Sequence, residues 1–357
     1  MSQPTERLVL FSTCGTSILT NLVPEKRSWL WGIANKTEAD LSSEEKQKLG
    51  GIVEQAKEKL AAANVDEQRN LSAELNGIHA VLEKWNPKVV QHRLLHTDTY
   101  IGRQTMELII SKLEQEGLGD ASLITAPGLR TDSQLNFRSA ISQLTNDLVP
   151  ELKGWNVRGY TIIFNLTGGF KSLNAYLQAL GSFYADQCVF LFVAKTSELM
   201  EIPRLPAKLD IGDSVNEHGL VFRKLSLQYP VEPAEAQGIP ETLVNIIDSQ
   251  ADLSFWGEVA WAEHKNEVYG GELLEPLSKK LDLSKKSLRK EFDKLPDKRK
   301  VETNQALDAL SAYLDDQRPT LKFQHLQEPS RRPPAALDAR ALPLERWSRR
   351  ATLRALR

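Results

Sequence analysis

The run Asn165-Leu166-Thr167-Gly168-Gly169-Phe170-Lys171 places a hydroxyl, two glycines and a cation in one short stretch. Glycines let a backbone turn tightly and approach a ligand with no Cβ in the way. A helix starting just after such a turn presents unpaired N–H groups and the positive end of its dipole, where phosphates settle. Lys171 adds a full charge at that point. The chemistry is that of a phosphate cradle; a tight turn whose glycines serve packing alone is the alternative. A second run, Ser12-Thr13-Cys14-Gly15-Thr16-Ser17, offers hydroxyls and amides in the same manner, and Thr97-Asp98-Thr99 is a third. Helix capping is the competing role for the third. Cys14 reads as a small residue filling its loop rather than a reactive thiol, and His96 as packed near a strand end. Arg103 could reach a phosphate from the first turn of its helix.

Each run follows a compact apolar stretch. Leu8–Phe11, Val89–Leu95 and Gly159–Phe164 read as buried strands, and Ser122–Pro127 and Val189–Val193 supply two more. Between and after them, Ile18–Leu22, Gly102–Glu116, Phe137–Leu148 and Ser172–Ala185 have helical spacing; the last has Leu173, Tyr176, Leu177, Leu180 and Tyr184 on one stripe. This alternation predicts an α/β fold, a Rossmann-like doubly wound parallel sheet. In such sheets ligands sit outside the carboxyl ends of the strands, where all three runs would lie. Glu201–Pro206 reads as extended because each proline disfavours helix in the residue before it. Leu220–Leu227 reads as a short alternating strand.

Residues 38–86 differ in character. Leu49, Ile52, Val53, Ala56 and Leu60 form one helical stripe, and Leu71, Leu75, Ile78, Val81 and Leu82 another. The expectation is a helical hairpin inserted into the α/β domain, started at Ser42-Ser43-Glu44-Glu45 and carrying no chemistry. The first domain would then span 1–228. Residues 229–242 are rich in Pro, Glu, Ala and Gly and read as a linker. Beyond, 243–357 forms a second domain, α+β or mainly helical. Its expected helices are Leu243–Ile247, Glu258–His264, Gly271–Lys280, Lys285–Asp293 and Val301–Asp315, followed by a strand at Thr320–Leu326. The arginine- and proline-rich stretch 328–357 lacks periodicity and reads as disordered.

Composition is that of a soluble protein: 41% hydrophobic, 26% charged and a net charge of −2 over 357 residues. Two cysteines exclude a disulfide framework or a structural zinc site. No apolar run reaches membrane-spanning length and no signal-peptide pattern opens the chain, so we expect a cytoplasmic protein with no membrane partner. Charge is uneven, however. Ten lysines and arginines crowd 279–300, and eight arginines fall between Arg331 and Arg357. A basic end on a neutral protein points to a polyanionic partner for that end.

Taken together, Phe11–Ser17, Thr97–Thr99, Asn165–Lys171 and Glu201–Pro206, in that order, resemble the CARF domains of CRISPR-associated proteins. The resemblance covers roughly residues 6–228. It implies a homodimer whose two-fold axis is spanned by a cyclic oligoadenylate made by a type III system. Carried over, the ligand loops are Ser12, Thr13, Cys14, Gly15, Thr16 and Ser17, and Asn165, Thr167, Gly168, Gly169, Phe170 and Lys171, with Thr97, Asp98 and Thr99 lining the pocket. The implied activator is cyclic tetra-adenylate, with cyclic hexa-adenylate as the other ring; no metal or further cofactor is expected. In ring-cleaving members Lys171 and the hydroxyl of Ser12 or Thr13 are where the chemistry occurs.

The second half would set the output. The stretch 295–314 followed by Leu321–Leu326 resembles the helix-then-strand opening of a RelE-family toxin, implying a metal-independent ribonuclease that cuts mRNA on the ribosome. In that reading Lys322, Arg331, Arg332 and Arg340 are the catalytic candidates, chosen on charge. Lys285, Lys286, Arg289, Lys290, Lys298, Arg299 and Lys300 would contact RNA. Arg318–His325 matches a HEPN nuclease motif only in a proline-containing, strand-like setting unsuited to it. The alternatives are a ring nuclease, or a ligand-tuned transcription regulator in which 273–293 forms a helix-turn-helix.

Overall fold

The structure, a computed structural model, describes residues 5–191, 198–207, 211–247, 249–284 and 286–315. It divides into two compact units, Met1–Leu209 and Asp210–Arg357.

In the first unit, β1 (Arg7–Thr13) leads to α1 (Ser17–Leu22), α2 (Arg27–Ile33), α3 (Ser43–Ala62), α4 (Val65–Leu71) and α5 (Ala73–Trp85). Then come β2 (Val89–Leu95), α6 (Tyr100–Gln115), β3 (Asp120–Ile124), α7 (Gln134–Val157), β4 (Thr161–Asn165), α8 (Lys171–Tyr184), β5 (Gln187–Leu191) and β6 (Leu199–Pro203). The strands form one sheet in the order β3-β2-β1-β4-β5-β6, parallel from β3 to β5, with β6 antiparallel at the edge. This is the expected mixed α/β, Rossmann-like architecture. From β1 the chain winds outward through β2 and β3, then returns to the other side of β1 for β4 and β5. The direction of winding therefore reverses between β1 and β4, where Ser12 pairs with Asn165 in register.

The region 38–86 is not a two-helix appendage. Capping boxes start α3 at Ser42 with Glu45 and α4 at Asn64 with Glu67, while the Ser72 side chain caps α5. Each box satisfies two otherwise orphaned amides, which is why one long charged stretch breaks into three helices. Leu75, Ile78 and Val81 of α5 are fully buried in the same core as Leu8 and Leu10 of β1. Helix α5 is thus the crossover helix lying on the sheet. Helix α7 runs nine residues past its expected end, through Pro150, because Val149 and Leu152 on either side are buried. Proline costs that helix one backbone bond, which the flanking burial offsets.

The second unit holds α9 (Gly212–Glu217), α10 (Gly219–Ser226), β7 (Val244–Ile247), β8 (Gln250–Leu253), α11 (Phe255–Gly270), α12 (Lys286–Asp293) and α13 (Asp297–Leu314). Four expectations are corrected. Leu220–Leu227 is helical: Val221, Phe222 and Leu225 share a buried face, and Arg223 beside them is paired with Asp308. Leu243–Ile247 contributes a strand, not a helix, paired antiparallel with β8. Gly271–Lys280 contains no helix. The stretch read as a linker is packed, with Val231, Ala236 and Ile239 in the core beside Val215 and Phe222. The Arg223 guanidinium donates to both Asp308 oxygens at 2.8 and 2.6 Å, and the Tyr269 hydroxyl donates to Oδ2 at 2.9 Å. These bonds tie α10, α11 and α13 together. Thr320–Leu326, Arg318–His325 and 328–357 lie outside the described residues.

Candidate functional site

The loops after β1 and β4 meet at the point where the sheet reverses its winding, the usual ligand crevice of such sheets. An ideal Cβ on Gly15 would lie 3.1 Å from Gly169 Cα. Thr13 Oγ1 donates to the Gly168 carbonyl at 2.7 Å, and Asn165 Nδ2 donates to Ser12 Oγ at 3.3 Å. The sequence runs that suggested one crevice are therefore brought together. Thr97–Thr99 joins the same sheet edge through β2, whose Leu95 carbonyl accepts the Cys14 amide at 2.7 Å.

A residue that the sequence reading passed over organises this rim. Glu74, on α5, is fully buried. Its Oε1 accepts the Gly15 N–H at 2.9 Å; its Oε2 accepts the hydroxyls of Ser72, at 2.7 Å, and Ser17. The stretch 38–86, expected to carry no chemistry, thus contributes the side chain that holds the first loop in place. Both glycines of the second loop are required by what they touch. A Cβ on Gly168 would lie 2.4 Å from Glu74 Oε1, and one on Gly169 2.6 Å from Thr13 Cβ at a φ of +84°. Gly77 of α5 is a third close approach, since a Cβ there would fall 2.2 Å from Asn165 Oδ1.

Burial separates the predicted ligand residues. Ser12, Thr13, Cys14 and Gly15 are buried, while Thr16 and Ser17 are half-buried. Burial, with the negative charge of Glu74, pushes the Cys14 thiol well above its ordinary range, so it stays neutral. Asn165 is also buried; Thr167 is half-buried and its hydroxyl accepts the Leu191 amide at 3.2 Å. Gly168 is covered by Glu74. By contrast, Gly169 and Lys171 are exposed and Phe170 half-buried. Lys171 opens α8, whose first turn has no side-chain cap. Among the described residues no acid holds the Lys171 ammonium.

Thr97, Asp98 and Thr99 are occupied structurally. Thr99 caps α6 through the Gly102 amide at 3.1 Å, and its hydroxyl meets that of Thr97 at 3.0 Å. Asp98 accepts the Gly128 N–H at 2.9 Å. His96 is buried and its pKa lowered by that burial, so its ring is neutral, bonded through Nδ1 to the Thr97 carbonyl. Arg103 is exposed.

In the second unit, Arg289, Lys290, Lys298 and Arg299 are exposed and Lys300 half-buried. Acids partly neutralise them: Arg289 pairs with Glu275, and Arg299 with Glu302 at 2.8 Å. Lys286 opens α12. Lys285 and the catalytic candidates Lys322, Arg331, Arg332 and Arg340 lie outside the described residues. No cluster of His, Cys, Asp and Glu able to hold a metal ion occurs among the described residues. No helix of the described residues is long and apolar enough to cross a membrane.

Residues 69–205 match the model of a family described as CRISPR-associated protein (Cas_APE2256). The match spans under half of the chain. It takes in Glu74, the second loop and β6, and leaves β1 and the first loop outside. It supports a CRISPR-associated nature for this chain. A comparison with curated proteins gives no match.

Proposed function

We propose that this protein is a type III CRISPR ancillary effector that senses a cyclic oligoadenylate, cyclic tetra-adenylate first among them, as a homodimer. Binding would then activate a RelE-like ribonuclease in the second unit. One observation carries the sensing half: at the switch point of the sheet, Gly169 and Lys171 stand exposed at the uncapped start of α8. The family match over 69–205, which takes in the second loop, supports the CRISPR part of this reading. A cyclic oligoadenylate is a ring of singly charged phosphodiesters, and a two-fold pair of such rims would present one lysine and one helix start from each side. Each charge-assisted contact is worth about 1.5–3 kcal/mol. Support for the ring-cleaving alternative is thinner, since Ser12 and Thr13 are buried and already hydrogen-bonded. The regulator alternative loses its first helix, because 271–284 is not helical.

For the output, the exposed cations of α12 and of the start of α13 suit a phosphate backbone, with salt-sensitive binding. In a metal-independent mechanism the RNA's own 2′-hydroxyl loses its proton and attacks the adjacent phosphorus, giving a 2′,3′-cyclic phosphate. The bond to the next nucleotide's 5′-oxygen breaks and that oxygen takes up a proton, while basic side chains stabilise the charge that develops on the phosphate. Lys322, Arg331, Arg332 and Arg340 remain the candidates for that role. The ring can drive output only through unequal affinity for two arrangements of the protein.

In vitro translation with and without cyclic tetra-adenylate, followed by mapping of transcript ends, tests the whole reading. Cuts that need both the ring and translating ribosomes are expected. Transcripts of unchanged length in the presence of bound ring would remove the effector half.

A further inference from the structure

We infer that the buried carboxylate of Glu74 decides which phosphates the rim accepts: it fills the first loop as an internal anion and favours a singly charged phosphodiester over a doubly charged terminal phosphate at the second. The inference rests on the nucleotide-binding reading above and names the determinant of its selectivity.

The first part follows from counting donors. Glu74 is acceptor in all three of its bonds to Gly15, Ser17 and Ser72. The two hydroxyls have no other arrangement open to them without loss. Ser17 Oγ already accepts the Ala73 N–H at 3.0 Å, and Ser72 Oγ accepts the Leu75 N–H at 3.2 Å, so each has its hydrogen directed to the carboxylate. A loop amide and two hydroxyls converging on two oxygens is the arrangement a bound anion would receive. Here the anion is part of the chain. The first loop, which offers hydroxyls and amides in the manner of a phosphate cradle, therefore has its inner donors in use, and a ligand phosphate is left with the second loop.

The second part follows from where that charge sits. Glu74 Oε1 would lie 2.4 Å from a Cβ on Gly168 and 3.5 Å from one on Gly15, so it lies against the inner side of the turn that carries Gly169 and Lys171 outward. Its three donors are neutral groups, which orient toward the charge without cancelling it. Away from bulk water such a charge acts over several ångströms. A phosphodiester carries one negative charge, whereas a terminal phosphate carries about 1.5 to 2 at neutral pH. Lys171 alone would prefer the more highly charged group. Glu74 opposes that preference while leaving the lysine able to hold a diester.

The test is competition against labelled cyclic tetra-adenylate by two linear tetra-adenylates, one ending in a 2′,3′-cyclic phosphate and one in a 3′-phosphate. They differ by one ionisable oxygen on the same phosphorus and by the 2′-hydroxyl that opening the ring frees. For the unaltered protein we expect the 3′-phosphate to gain nothing from its extra charge. For Glu74→Gln, which keeps shape and the Gly15 acceptor, we expect the affinity ratio to move about tenfold toward the 3′-phosphate. A purely structural role would weaken both ligands alike and leave the ratio where it was; that result overturns the inference. Should Glu74→Gln not fold, the unaltered protein still decides, since a tenfold preference for the 3′-phosphate would contradict an opposing charge beneath the turn. If cyclic tetra-adenylate itself does not bind, the reading on which the inference rests fails instead.

Discussion

The loop after β1 buries Ser12, Thr13, Cys14 and Gly15 and gives its Gly15 amide to Glu74, whereas the loop after β4 leaves Gly169 and Lys171 in solvent. Both loops follow a buried parallel strand, and both precede a helix. What separates them is a side chain from a third element. Glu74 reaches the rim from α5 and saturates one loop, and its bulk obliges the other to carry glycine at 168. Similar local composition thus yields one structural loop and one available for binding. Availability depends on which donors the rest of the fold has already used.

The sharpest way to break this contrast is Glu74→Ala. It strands three donors, two of them buried, and a buried donor costs about 1–3 kcal/mol when left without a partner. We expect a loss of about 4 kcal/mol in urea unfolding, with the midpoint rather than the slope moving. Retained stability would mean that the first loop does not depend on the internal anion. Next in size is Gly168→Ala. Its Cβ has to displace a carboxylate fixed by three bonds, at about 2–3 kcal/mol, while the same change at the half-buried, helical Gly154, where nothing stands within 4 Å of an added Cβ, should be neutral or stabilising. Thr13→Val removes one of the bonds that tie the two loops. The Gly168 carbonyl keeps Asn174 Nδ2 at 2.8 Å as a second donor, so the expected cost is only about 1 kcal/mol. Smallest is the effect on Cys14: held neutral and fully buried, it should react with a disulfide reagent only on the timescale of unfolding. Rapid labelling in the folded state would contradict the closed first loop.

The parts of the fold with local signals were readable in advance. Strand β2 was expected at Val89–Leu95 and is found there, and α8 begins one residue before its expected start, because apolar runs and stripes encode burial directly. Glu74 was legible only in hindsight. It falls on the inward side of the stripe Leu71, Leu75, Ile78, three residues after Leu71 and four before Ile78. An acid in that position signals a buried partner, but among so many charges it reads as part of the hairpin's outer face in water. Helix α10 was hidden for a related reason. Arg223 interrupts its apolar pattern, and the acid that makes its burial tolerable, Asp308, is 85 residues away. Strand β7 is only four residues, Val244-Asn245-Ile246-Ile247, too short for periodicity to separate helix from strand. Non-local partners decided each of these cases.

The account turns on Lys171 at the open loop, and calorimetric titration of the protein with cyclic tetra-adenylate tests it most directly. Lys171→Ala should leave the unfolding midpoint unchanged, since the side chain is exposed. It should weaken binding of the ring at least tenfold, the equivalent of about 1.5 kcal/mol for one charge-assisted contact. An unaltered protein that takes up no ring, or a Lys171→Ala protein that binds it equally well, would contradict the account.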